Sequence, residues 1–157
     1  MKHGFFELDV IKRAAAVRKV IGYVPQETSV WSDLSGFENV LVYTKIYGLP
    51  SHSRRDAVYG MLDDVGLRTA ADDLVKTYSG GMVRRLEIAC AMLITPNVLF
   101  LDEPTLGLDP SARIAVWENN YLYSGVRHYR IFQRAYMDEA NAYADEVAII
   151  NVGTIIT

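Results

Sequence analysis

The chain has 157 residues, half of them apolar, a formal net charge of -3 and a single cysteine. That length and apolar content support one domain-sized core. The weak negative charge, broken only by basic pairs such as Arg54-Arg55 and Arg84-Arg85, excludes the electrostatic footprint of a nucleic-acid or anionic-membrane binder.

Cys90 alone rules out an internal disulfide framework, fits a reducing cytosol, and reads as a small core residue in an apolar helical run. The longest apolar runs, VLFL and VAII, are far too short to span a bilayer, and Glu7 and Asp9 interrupt any signal-like start. Work at a membrane would need a partner to supply the span.

In chain order, RKVIGYVPQ predicts a short buried strand, Val20 to Val24, closed by Pro25. Gln26 is then left at the strand's carboxyl end, where open sheets carry ligands. Ser35-Gly36-Phe37-Glu38 has the form of a capping box, and Phe37, Val40, Leu41, Thr44 and Tyr47 repeat at helical spacing until Gly48 and Pro50 stop them. A second helix follows, with Val58, Met61, Leu62 and Val65 on one face and Gly66 as its left-handed cap. Ser35 to Val75 is therefore expected to be mostly helical.

Beyond Thr77, the spacing of Val83, Leu86, Cys90 and Leu93 predicts an apolar helix stripe, which Thr95-Pro96-Asn97 breaks. Val98 to Leu101 reads as a fully buried strand with Asp102 and Glu103 at its carboxyl end. Asn119 to Tyr129 is polar and tyrosine-rich, without a clear period. A short strand is expected at Ile131-Phe132 and a last one over Val147 to Asn151. No internal repeat is present.

The segment YSGGM carries the first chemical signal. A helix starting just after Gly80-Gly81 leaves unpaired amides and a positive dipole end facing outward, and Ser79 adds a hydroxyl donor. That is an anion site suited to phosphate, although a serine before two glycines is equally the form of an ordinary cap in a glycine turn. The second signal is a buried strand that delivers two carboxylates in tandem. One can hold Mg²⁺, directly or through water, and the other can orient and polarise a water. Pro104 to Pro110 turns sharply after them.

Taken together, YVPQ, YSGGM and VLFLDEPTLGLDP resemble the nucleotide-binding domain of ABC transporters over nearly the whole chain. PQETSVWSDLSGFENV and MDEA look most like ATPases of two-component drug-resistance exporters. The resemblance implies an α/β fold, an incomplete P-loop NTPase-type core with an inserted helical subdomain. It divides the chain into residues 1–32 with the core strand and glutamine loop, 33–94 as the helical subdomain with the signature, and 95–157 as core with Walker B, D-loop and a degenerate H-loop.

The same resemblance implies ATP and Mg²⁺ as cofactors and a head-to-tail dimer with a second nucleotide-binding subunit. Ser79, Gly80 and Gly81 would contact the γ-phosphate of ATP on the opposite subunit. Asp102 would serve the Mg²⁺ site, Glu103 would polarise the attacking water, Gln26 would complete the metal and water shell, and Asp109 would couple the two sites. An integral membrane permease would be the other partner, placing the chain on the cytoplasmic face of the membrane. A coupling helix of that permease would sit near Glu27 to Phe37, where Val30 and Trp31 are apolar for a loop, unless Trp31 simply packs on the helical lobe.

Two departures bear on activity. None of the eleven glycines is followed by another five residues on, so the phosphate loop GxxxxGKS/T is absent, and the chain is expected to begin after it. Sheet surface that a whole domain covers would then be exposed, with poor solubility as the expected result. The family pattern also places a histidine just before Tyr136, where this sequence has Ala135, and a methyl group cannot contact phosphate. His128 precedes the expected strand rather than following it. The chain alone is therefore expected to be inactive.

Three functions are consistent with these residues. They are a partial exporter ATPase, a non-catalytic module that completes a composite site on a full-length partner, and a soluble ABC-type ATPase not tied to transport. Chromosome-structure and repair ATPases insert long coiled coils between the glutamine loop and the signature, and Gln26 and Ser79 are joined here by compact helices without heptads.

Overall fold

A computed structural model describes residues 4–5, 8–122, 129–133 and 136–156. Its elements in order are β1 (Gly4–Phe5), β2 (Leu8–Asp9), α1 (Ala14–Val17), β3 (Ile21–Val24), α2 (Gly36–Ile46), α3 (Arg54–Asp64), α4 (Gly80–Met92), β4 (Val98–Asp102), α5 (Pro110–Leu122), β5 (Tyr129–Gln133), α6 (Met137–Tyr143), β6 (Ile150–Asn151) and β7 (Thr154–Ile155).

The local signals in the helical region act as their chemistry requires. Ser35 accepts from the Glu38 amide and the Glu38 carboxylate accepts from the Ser35 amide, which closes the capping box of α2. Gly48 and Gly66 take positive φ of 74° and 65° just past α2 and α3, the backbone a helix end favours and glycine adopts without strain. Val40, Val58, Leu62, Val65, Leu86 and Cys90 are buried together as the core of this helical lobe.

Among the described residues the parallel sheet has three strands in the order β3-β4-β5, beside the antiparallel pairs β1-β2 and β6-β7. Its register pairs Val24 with Leu101 and Asp102 with Gln133, so all three strands end at one edge. Alternation along the strands sends Val24, Leu99, Leu101 and Phe132 to one face, where they pack on Ile88, Ala91, Met92 and Val116. The opposite face leaves Tyr23, Tyr129 and Ile131 exposed.

Helix α4 joins the two cores. Leu86, Ala89, Cys90 and Leu93 pack into the helical lobe, whereas Ile88, Ala91 and Met92 pack on the sheet. The single apolar stripe expected from the sequence is thus one of two, and a helix apolar on both sides belongs in the interior.

Three expectations are corrected. The strand placed over Val147 to Asn151 is confined to Ile150–Asn151, because its pairing partner after the reversal at Val152-Gly153, both at positive φ, is only the two residues Thr154–Ile155. The amino-terminal region contains β1, β2 and α1, which had no sequence signal. Helix α5 also runs into the tyrosine-rich stretch as far as Leu122. His3, His128 and Ala135 lie outside the described residues.

Candidate functional site

Close approach sets the direction of α4. A Cβ at Gly22 would stand 2.8 Å from the Ala91 carbonyl, while seven residues earlier Arg84 reaches the Pro25 carbonyl. Seven residues of helix and three of strand each cover about 10 Å, so α4 runs antiparallel to β3. Its amino terminus, Ser79-Gly80-Gly81, therefore lies beyond the carboxyl edge of the sheet, roughly 7.5 Å past Arg84.

Ser79 caps α4 by accepting from the Met82 amide at 3.3 Å, and Ser79 and Gly80 are exposed. The two glycines meet a further demand. A Cβ at Gly81 would lie 2.9 Å from that of Ala112, and one at Gly80 would lie 3.1 Å from a Leu108 methyl. At Gly81 the lack of a Cβ lets this helix start press against Ala112, whereas at Gly80 a shift of the Leu108 methyl by a few tenths of an ångström would admit one.

At the edge itself, the Gln133 amide donates to Asp102 Oδ1 at 2.8 Å, and the Glu103 amide donates to the Gln133 carbonyl at 3.2 Å. Glu103 has φ of +47°, an uncommon backbone for a residue with a Cβ and one that clusters at functional turns. Its residue is buried. The turn that follows is tied down on both sides. Thr105 donates to Glu139 Oε2 at 2.7 Å, while Arg113 donates to the Leu108 carbonyl at 2.9 Å and lies 4.1 Å from the centre of the Tyr136 ring.

Asp109 stands just before α5 and is exposed. Its Oδ1 accepts from the Ser111 hydroxyl and from the Ser111 and Ala112 amides at 2.6, 3.0 and 3.0 Å. The Ser111 hydroxyl and the Ala112 amide hold this carboxyl below its ordinary value.

Gln26 is exposed beyond β3, and its loop is held from α4. Arg84 donates to the Pro25 and Gln26 carbonyls at 2.7 and 3.2 Å and pairs with Glu87 at 3.1 Å. Glu87 Oε1 accepts from the Ser29 amide at 2.6 Å and from its hydroxyl at 3.2 Å. Burial pushes the Glu87 carboxyl up, against the Ser29 amide and the Arg84 charge, which pull it down. Farther along, Val30 is core, whereas Trp31 is half-exposed with its ring 6.1 Å from that of Tyr43.

The fold thus gathers Asp102 and Glu103 at one edge, with Gln26 past the neighbouring strand and Ser79 to Gly81 at the same end. Among the described residues no group of three acidic, histidine or cysteine side chains could hold a metal. A carboxylate and an amide at a strand edge nonetheless suit Mg²⁺, which keeps waters and takes phosphate oxygens rather than a full protein cage. Sequence reading missed Gln133, Thr105, Glu139 and the Arg84–Glu87 pair. Gln133 carried a usable signal, since it ends a strand as Gln26 follows one.

A parallel sheet ending in tandem carboxylates, with a helix amino terminus at the same end, defines an α/β core of the P-loop NTPase type. Residues 5–106 match the family model described as ABC transporter. The chain belongs to the ABC transporter family.

Among its relatives, the daunorubicin/doxorubicin resistance ATP-binding protein DrrA of Streptomyces peucetius is 39% identical over 151 residues, covering 96% of this chain and 46% of that protein. The linearmycin resistance ATP-binding protein LnrL of Bacillus subtilis is 34% identical, covering 92% of this chain and 47% of that protein. The Nod factor export ATP-binding protein I of Sinorhizobium fredii is 37% identical, with 90% and 41% covered. The chain spans a little under half the length of each. A solved structure of the ATP-binding subunit of an ABC transporter superposes with a TM-score of 0.76 at 22% identity, over 98% of this chain and 64% of that one, which establishes the fold.

Proposed function

We propose that the chain is part of the ATP-handling subunit of an ABC exporter and powers export through a separate membrane permease. In this reading residues 1–32 carry the core strand and Gln26 loop, 33–94 the helical subdomain, and 95–157 the remaining core. The observation that carries it is the gathering of the α4 amino terminus and the Asp102-Glu103 pair at one end of an α/β fold. The names of the relatives, which are resistance and export ATP-binding proteins, support the same direction.

Bound MgATP would supply the reactive phosphate. The Ser79 hydroxyl and the first amides of α4 would donate to the γ-phosphate held by an opposing subunit, in a head-to-tail pair. Asp102, oriented by Gln133, would face Mg²⁺ directly or through water, with the Gln26 amide completing that shell. Glu103, set by its left-handed turn, would accept a hydrogen bond from water and hold it for attack. Asp109, at the turn touching the α4 amino terminus, would link the two sites. Among the described residues no helix is long and apolar enough to cross a membrane. The proposed place is the cytoplasmic face of the membrane, through the permease, with the half-exposed Trp31 region as docking surface.

A second reading is that the chain completes a partner's site through Ser79 to Gly81 without turning over ATP itself, and the exposure of Ser79 and Gly80 at the α4 amino terminus supports it. Both readings are tested by adding the chain to an intact subunit of the drug-resistance type and measuring ATP hydrolysis. A gain on mixing that Ser79→Arg abolishes and exposed Ser51→Arg leaves intact supports the half-site that Ser79 to Gly81 form in both readings, and no gain rejects that half-site. Hydrolysis by the chain alone rejects the second reading.

A further inference from the structure

We propose that Arg84 and Glu87 are positioning residues, a buried ion pair on α4 that fixes the main chain of the Gln26 loop to the helix bearing Ser79-Gly80-Gly81. The inference rests on the reading of Gln26 given above.

The pair sits at 3.1 Å with side chains 10% and 2% exposed. A buried ion pair is by itself a weak source of stability, because desolvation offsets its attraction. What distinguishes this one is where its remaining hydrogen bonds go. Arg84 donates to the carbonyls of Pro25 and Gln26, and Glu87 accepts from the amide and hydroxyl of Ser29, all 58 or 59 residues away in sequence. Two neighbouring turns of one helix thus hold both ends of a short loop, chiefly by its backbone.

The planar guanidinium spans two carbonyls and a carboxylate at once, which an ammonium cannot do in one geometry. The packing of α4 gives the clamp a lever. Gly22 and Ala91 are in close contact near the far end of the helix, and Arg84 lies seven residues nearer Ser79. With these contacts kept, a tilt of α4 about the Gly22 contact would carry the Gln26 loop with it.

Amide hydrogen exchange on the full chain tests the inference. The variants are Glu87→Gln and the double replacement Arg84→Met with Glu87→Leu, the second removing both charges together so that neither is left buried and unpaired. Amides of residues 26 to 30 are expected to exchange at least about tenfold faster in both variants, while those of α2 and α3 keep their rates. Unchanged loop exchange, or an acceleration spread equally over α2, α3 and α4, overturns it.

A second measurement uses the mixing assay. Glu87→Gln is expected to lower kcat of the stimulated hydrolysis with KM unchanged, and stimulation equal to wild type despite a loosened loop overturns the positioning role. A wild-type chain that gives no stimulation counts against the half-site reading alone, since the exchange measurement is made without nucleotide or partner and decides the clamp separately.

Discussion

Thr105 donates its hydroxyl proton to Glu139 Oε2 at 2.7 Å, joining across 34 residues of sequence the turn after Glu103 to the helix after β5. Both residues are buried, at 1% and 8% exposure. A charge-assisted hydrogen bond in such surroundings is costly to leave unmade. It belongs to a set of ties, with Arg113 on Leu108 and Tyr136, that hold the strained Glu103 turn from outside.

Thr105→Val keeps the side-chain shape and removes the donor. Urea unfolding should show a loss of about 2 kcal/mol, the cost of a buried carboxylate deprived of a hydrogen bond. A change below roughly 0.5 kcal/mol, the scatter of ordinary surface substitutions, would show that water replaces the hydroxyl without cost.

Two glycines on helices should respond in opposite senses. Gly60 lies inside α3 with nothing within 4 Å of an added Cβ, so Gly60→Ala should stabilise by about 0.5–1 kcal/mol through helix propensity. At Gly81 an added Cβ would stand 2.9 Å from that of Ala112, so Gly81→Ala should destabilise the chain. Combining it with Ala112→Gly should recover part of the loss. Equal effects of the two alanine substitutions would refute close packing at the α4 start.

Asp109 predicts a pH dependence. Its folded carboxyl lies below its ordinary value of 3.8, held there first by the Ser111 hydroxyl. Its cap therefore contributes fully above the unfolded value and is lost as pH falls through the folded one. Urea midpoints compared at about pH 6 and pH 3 should fall less in Asp109→Asn than in the wild type, since the amide oxygen still accepts but does not titrate. Identical falls in both proteins would remove Asp109 from the acid response.

Much of the fold was legible because the relevant interactions are short in sequence. Ser35 and Glu38 are three residues apart and satisfy each other's backbone, and Gly66 ends α3 by its own backbone freedom. The strand ending at Asp102 was readable from four consecutive apolar residues. The hairpin of Ile150 and Ile155 was not, because the run VAII looks like one strand and the reversal occurs at Val152-Gly153, where valine itself takes φ of 49°.

By itself the sequence determined the elements of the helical lobe, the helix start at Ser79-Gly80-Gly81, the strand ending at Asp102, and the family to which the chain belongs. Those features rest on local hydrogen bonds, apolar period and residue type, which act over a few positions. Only the tertiary structure decided that α4 is apolar on both sides, that Gln133 registers with Asp102, and that Gly81 packs on Ala112 too closely for a Cβ. Only it placed Arg84 and Glu87 on the Gln26 loop. Each is a contact between segments distant in sequence, set by how sheet and helices pack, and no local pattern encodes it.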